Sequence, residues 1–254
     1  MGNIILIIKG YRMKAKKKYE LRNSYFKLAR MYGLPNTMLE IAEYLKEHGE
    51  LPFEYRGENW VYDAFCERQK YYAVLNSQYL TPDATVDQML HFAGKYFNPL
   101  DNYVLEPCCG TGQITKELLK DGYNVTAFDA DEEMVELCQI VCEGNTNLIS
   151  LECSTFKDFD YSKKWDCYSR KHNQVIANPP YEVPILTEFF EWLNEIQDYG
   201  AISVLLLSKG FIDKDKPKAL VKALRKFGVL EKEDMQEEFA RTKSRAEIVV
   251  LKKL

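Results

Sequence analysis

The stretch VLEPCCGTGQITKELL, Val104–Leu119, reads as strand, loop and helix in immediate succession. Val104 and Leu105 close an apolar strand. Gly110 and Gly112 let the chain turn tightly and approach a ligand without a Cβ in the way. Thr115–Leu119 belong to a helix whose positive end faces that ligand. Asp129, in AFDAD, follows Gly112 by 17 residues at the end of the next apolar run. An acid placed there can accept hydrogen bonds from both hydroxyls of a ribose. Gly-x-Gly alone also occurs in ordinary strand-to-helix turns, and the acid is what raises the pattern to a nucleoside site. Thr115 stands where a dinucleotide fingerprint has its third glycine, and Lys116 is not in the G-K-[ST] setting of a P-loop. A cofactor without phosphates therefore fits best, and S-adenosylmethionine is the candidate. Its ribose suits Asp129, and Glu106 at the strand end can meet its cationic methionine portion.

Outward from this stretch, apolar runs recur at Tyr103–Leu105, Val125–Phe128, Leu148–Leu151, Gln174–Ala177, Ile202–Leu207 and Ile248–Leu251. Helical patterns lie between them at Ile114–Lys120, Glu132–Cys142, Pro184–Ile196 and Lys216–Lys226. That alternation predicts an α/β domain, a doubly wound and mostly parallel sheet with helices on both faces. Residues 1–77 have a different, helical texture. In NTMLEIAEYLKEHG, Thr37 and Glu40 form a capping box and Gly49 a stop, and a second amphipathic stretch opens at Asn59. The expectation is a small N-terminal helical lobe over 1–77 and a catalytic domain over 78–254.

The chain has 254 residues, 46% of them apolar, enough for a sizeable core. No apolar run reaches the roughly 18 residues of a membrane span, and the Ile4–Ile8 run is too short for a secretory core. The seven cysteines are scattered without a CxxC pair, which points to buried thiols in a reducing cytoplasm rather than to a metal site. Net charge is −4, yet residues 9–30 carry nine Lys or Arg against Glu20 alone, leaving −12 on the rest. A basic arm of this kind can touch phosphates or be a solvated end. Met13 opens MKAKKKYE and can be an alternative start, with residues 1–12 an upstream extension.

VIANPPYE, Val175–Glu182, follows the fourth apolar run. In a doubly wound sheet strands one and four usually lie side by side, so this loop should face the Gly110 loop across one crevice. Pro179 and Pro180 remove two backbone donors and fix φ, which holds nearby carbonyls in place. Asn178 adds a side-chain carbonyl. Two fixed acceptors can hold both protons of an amino group and leave its lone pair aimed at an electrophilic methyl. Tyr181 offers a flat face for a base.

With these residues in order, the chain resembles the amino-methyltransferases that use S-adenosylmethionine, and most of all the N6-adenine-specific DNA methyltransferases. NPPY matches that family's [DNS]-P-P-[YFW]. LEPCCGTGQIT resembles its L-[DE]-P-x-x-G-x-G, and QYLTPDATVDQML (Gln78–Leu90) its T-P-x-x-V segment. The order is that of the subgroup in which the cofactor motif precedes NPPY, and the resemblance spans about Gln78–Leu254. It implies a Rossmann-like methyltransferase sheet of seven strands, one more than the apolar runs mark. It implies cofactor contacts at Thr81, Pro82, Glu106, Gly110, Gly112, Asp129 and Ser154, with Thr81 and Pro82 over the methionine end. Asn178, Pro179, Pro180 and Tyr181 become the catalytic motif, and Phe239 matches an aromatic that packs on the extruded base. DNA is the implied partner, a restriction–modification system the implied setting, and no metal or membrane is called for.

The sequence departs from the family twice. An acid is usual after the third strand, where LECSTFKDF places Ser154, or Asp158 if the alignment shifts. The chain also stops after its last strand, so target reading must come from the helical lobe, from loops or from a separate recognition subunit. Cys108 and Cys109 lack the setting of a catalytic thiol and read as packing; His172 reads as a loop residue. The alternatives are glutamine methylation in a release factor, whose enzymes usually show D-x-G-T-G-S-G, methylation of an RNA base, and a catalytically dead relic.

Overall fold

A computed structural model describes residues 81–159, 172–236 and 245–254. The chain divides between Asn76 and Ser77, and all described residues belong to the unit Ser77–Leu254. The predicted helical lobe and basic arm lie outside the described residues.

In chain order the elements are α1 (Asp83–Tyr96), β1 (Tyr103–Pro107), α2 (Gln113–Lys120), β2 (Asn124–Asp129), α3 (Glu132–Val141), β3 (Leu148–Cys153) and β4 (Gln174–Ala177). They continue with α4 (Val183–Ile196), β5 (Ile202–Ser208), α5 (Lys218–Leu224), β6 (Phe227–Asp234) and β7 (Ala246–Lys253). The strands form one seven-stranded sheet in the order β3-β2-β1-β4-β5-β7-β6. β1 to β5 are parallel, with Leu105 paired to Val175 across the β1–β4 junction. β7 runs antiparallel to both of its neighbours. The strand order reverses between β1 and β4, which opens a crevice at their carboxyl ends. This is the doubly wound, mostly parallel, Rossmann-like sheet expected from the sequence.

Alternate residues of each strand serve opposite faces, as the two-residue pleat requires. Val104, Val125, Ile176, Val204 and Ile248 face one core with Met89, Phe92, Leu118 and Cys138 from α1, α2 and α3. Leu105, Phe128, Val175, Leu205 and Val249 face the other with Phe189, Phe190 and Leu193 of α4 and Leu220 of α5. The central strands are buried on both faces, which is why they show as continuous apolar runs.

Two elements escaped the periodicity. β6 is the seventh strand, and its last residues fall in the acidic stretch that precedes β7. It is an edge strand, with Val229 and Leu230 each 44% exposed, so one side of it meets water and no apolar run forms. α1 occupies the T-P segment. It buries Val86, Met89, Phe92 and Ala93, and Gln88 ties it to β6 by donating to the Glu233 carboxylate at 2.8 Å.

Candidate active site

The Gly loop leaves β1 through a run of unusual backbone. Cys108, Gly110 and Gly112 have φ of 58°, 53° and 84°, in the left-handed region that favours glycine. The two glycines have different work. A Cβ on Gly112 would come 2.8 Å from Sγ and 3.2 Å from Cα of Cys138, so α3 packs straight onto that glycine. A Cβ on Gly110 would meet nothing within 4 Å; that side of the loop is open to an approaching group.

Asp129 ends β2 beside this opening. Its Oδ2 accepts from the Gly110 N–H at 2.9 Å and its Oδ1 from the Asp131 N–H at 3.0 Å. Each carboxylate oxygen keeps a further lone pair, the requirement for holding two ribose hydroxyls. Burial pushes the Asp129 carboxyl up from its ordinary value, and the two backbone N–H groups oppose that shift. The Ser154 N–H donates to the Asp129 carbonyl at 2.8 Å, which brings the residue after β3 against the end of β2. Asp158 instead accepts from Thr155 Oγ1 at 2.6 Å. Ser154 is thus the residue beside Asp129.

Glu106, 1% exposed, lies under the loop. Thr115 Oγ1 donates to its Oε2 at 2.5 Å. Burial pushes this carboxyl well above the usual range, and the Thr115 bond works against the shift. Thr115 was visible in sequence only as a missing glycine; its hydroxyl supplies the buried acid's partner. Burial pushes the Cys108 thiol well up, and the hydrogen bond to Cys138 followed by burial does the same at Cys109. Neither is a nucleophilic thiolate.

Asn178–Tyr181 emerge from β4 on the same edge of the sheet. Pro179 is buried, while Asn178, Pro180 and Tyr181 are half-buried. Tyr181 packs against the core on the α1–α2 side. Asn178 Nδ2 donates to Thr81 Oγ1 at 3.1 Å. The T-P segment therefore touches the NPPY loop itself, a contact across 97 residues that no local pattern could show. Pro82 caps α1, its carbonyl accepting from the Thr85 and Val86 N–H groups. His172 sits before β4, at the end opposite the crevice, so that the whole length of β4 (Gln174–Ala177), about 13 Å of strand rise, separates it from the NPPY loop. Phe239 lies outside the described residues. Among the described residues no group of three or more His, Cys, Asp or Glu could hold a metal ion, and no helix is long and apolar enough to cross a membrane.

The open side of Gly110, the doubly held Asp129 and the buried Glu106 suit a nucleoside whose other end is a methionine rather than a pyrophosphate. Comparison with known proteins agrees. Residues 104–195 match the family model described as a methyltransferase domain. No curated protein matches the chain at a significant level. Among solved structures, a Listeria monocytogenes protein described as a class I S-adenosylmethionine-dependent methyltransferase superposes with a TM-score of 0.55 at 15% identity, over 85% of this chain and 68% of its own. A Pyrococcus horikoshii protein described as an RNA methyltransferase gives 0.53 at 20% identity, over 71% and 90%. TrmN from Thermus thermophilus gives 0.51 at 18% identity over 74% of this chain; the match spans only 53% of the TrmN chain. At these identities the likeness is one of fold. Residues 104–195 thus match a methyltransferase domain, and the sheet that carries them has the fold of S-adenosylmethionine-dependent methyltransferases.

Proposed function

We propose that this chain transfers a methyl group to the N6 amino group of adenine in DNA. The observation that carries the reading is the placement of Asn178–Tyr181 at the carboxyl end of β4, next to β1 and its Gly loop. S-adenosylmethionine, the cofactor on this reading, would supply an electrophilic methyl group. Asp129 would hold its ribose, Glu106 would face its methionine end, and the open side of Gly110 would admit it. Ser154 would stand at its adenine, and Pro82 beside its methionine.

The chain's own part in catalysis is positioning. The Asn178 side-chain carbonyl and a backbone carbonyl of the Pro179–Pro180 segment accept the two amino protons. That aims the nitrogen lone pair at the methyl carbon and stabilises the positive charge that develops on nitrogen; as the N–C bond forms the methyl–sulfur bond would break with its electron pair kept on sulfur, and the surplus amino proton would leave to water. Tyr181 gives the base a ring to lie on. Adenine must leave the stack first, because its amino group cannot reach the methyl inside a duplex. On the same resemblance, Phe239 would pack on the extruded base. The basic arm of residues 9–30 would contact phosphates, and site recognition would come from the lobe, from loops or from a separate subunit.

A second reading is a base in RNA, favoured by the fold shared with the Pyrococcus horikoshii protein. Incubation with labelled S-adenosylmethionine and, separately, unmethylated duplex DNA, RNA and a release factor distinguishes the readings. Label in N6-methyladenine of DNA is expected; label only in RNA or in the release factor overturns the DNA assignment. Asn178→Ala should lower transfer at least ~100-fold while cofactor affinity stays unchanged. Undiminished turnover would remove Asn178 from the mechanism.

A further inference from the structure

Residues 216–226, KPKALVKALRK, carry five Lys or Arg and no acid, in a chain whose net charge is −4. The structure sorts these cations. Lys216 folds back on its own loop, its Nζ donating to the Ile212 carbonyl at 3.0 Å and the Lys214 carbonyl at 2.5 Å. Lys218, Lys222 and Arg225 are spaced at i, i+4 and i+7 and share one side of α5, with Lys226 beside them. All four are exposed, while Leu220 and Ala223 on the opposite side are buried. Lysines elsewhere in the domain are matched with acids, as Lys95 is with Glu231, Lys120 with Glu117 and Lys157 with Glu188. Among the described residues, Lys218, Lys222, Arg225 and Lys226 form no ion pair.

Helix stability does not account for this face. Arg225 and Lys226 complement the negative end of the helix dipole, but Lys218 is the first residue of α5, at the positive end, and no acid stands in that turn. Lys218 and Lys222, and again Lys222 and Lys226, are like-charge neighbours at i and i+4, which repel. A polyanion laid along the face relieves that repulsion. Topology aims the face at the crevice. α5 begins after the loop that leaves β5 at the carboxyl edge of the sheet, where β5 adjoins β4 and its NPPY loop. It returns toward the amino edge, where β6 starts parallel to β5, both being antiparallel to β7. The stripe thus starts on the edge that carries the crevice and runs about 10 Å along the helix away from it.

We propose that the Lys218–Lys222–Arg225 face of α5 is a phosphate-backbone contact, which holds the nucleic-acid substrate beside the base that enters at Asn178–Tyr181. The inference rests on the nucleic-acid reading of the substrate. It gives the domain that carries NPPY a backbone contact of its own, in addition to the basic arm.

The test compares the unaltered full chain with Lys222→Gln, the pair Lys218→Gln and Lys222→Gln, and the triple that adds Arg225→Gln. A control pair, Lys95→Gln and Lys120→Gln, removes the same charge from helices on the other face of the sheet. Binding to fluorescent duplex DNA and to RNA is titrated over a range of salt, and turnover and S-adenosylmethionine affinity are read beside it. Each α5 substitution should lower the slope of log K against log salt on duplex DNA by about 0.9. The triple should weaken duplex binding at least about tenfold at physiological salt and raise KM for DNA, with kcat and cofactor affinity held within about twofold. The control pair should leave slope and affinity unchanged. DNA methylation by the unaltered chain together with an unchanged slope in the triple overturns this inference alone. So does a control pair as impaired as the α5 pair, since net charge would then be the cause. If the triple does not fold, Lys222→Gln decides. The same losses on RNA but not on duplex DNA uphold the phosphate contact and overturn the DNA reading. Binding to phosphatidylserine vesicles with none to either nucleic acid overturns both.

Discussion

Gly110 and Gly112 stand two residues apart in one loop, and alanine at each should fail in a different way. At Gly112 the φ of 84° puts a side chain in the left-handed region, at a cost of about 1–2 kcal/mol. The added Cβ would also lie 2.8 Å from Cys138 Sγ and 3.2 Å from its Cα. Sγ can swing aside, but Cα can move only with α3, and overpacking of that kind costs about 1–3 kcal/mol. Gly112→Ala should therefore lose about 2–5 kcal/mol of stability. With a urea slope of about 2–3 kcal/mol per molar, its midpoint falls by roughly 1–2 M. At Gly110 the φ of 53° carries the same backbone cost, but the Cβ meets nothing within 4 Å. Gly110→Ala should lose only about 1–2 kcal/mol of stability. Its methyl would instead project into the space assigned to the cofactor and weaken S-adenosylmethionine binding at least about tenfold. Urea titration of both variants, with calorimetry of cofactor binding on the folded protein, reads the split. A Gly110→Ala protein that binds the cofactor normally, or a Gly112→Ala protein as stable as the parent, would refute this division of labour.

Two further outcomes follow from buried polar groups. Thr115→Val keeps the shape but strips the donor from buried Glu106, so stability in urea should drop by about 1–3 kcal/mol. Adding Glu106→Met should recover most of that loss, since the orphaned carboxyl is then gone; a double variant no better than the single counts against the pairing. His172 is buried, and burial lowers its pKa from 6.5 to about 4. A base with a depressed folded pKa binds fewer protons folded than unfolded between those values. Its contribution is complete above pH 6.5 and declines as pH falls toward 4, by about 3 kcal/mol in all. His172→Phe should flatten the stability profile over that window and leave its slope above pH 7 unchanged.

The fold was legible where burial is two-sided. β1, β2, β4 and β5 lie inside the sheet, and their unbroken apolar runs announce them. β6 was hidden because most of its residues meet water, and Glu231, Glu233 and Asp234 there make a strand resemble an acidic loop. α1 was hidden for another reason: Thr81 and Pro82 open its segment as a motif that points to ligand contact and carries no helix signal of its own. The site divides along similar lines. Gly110, Gly112 and Asp129 could be placed from spacing because their roles are backbone roles, fixed by φ and by strand ends. The partners of Glu106 and Asn178 could not be placed that way.

Those two pairings clarify what a motif encodes. NPPY specifies a backbone path: two prolines without donors and an asparagine at the end of a strand. It does not specify which way the asparagine amide faces, since the amide's two ends have nearly equal shape. In this fold the amide's Nδ2 meets a hydroxyl 97 residues earlier in the chain. Likewise E-P-x-x-G-x-G specifies an acid at the end of β1 but not how a carboxyl 1% exposed is satisfied; Thr115, one turn into α2, does that. In both cases a threonine, Thr115 within α2 and Thr81 just before α1, meets a polar group whose partner the local motif does not specify. The T-P segment and the NPPY loop, separate motifs in the sequence, are thus joined side chain to side chain in the fold.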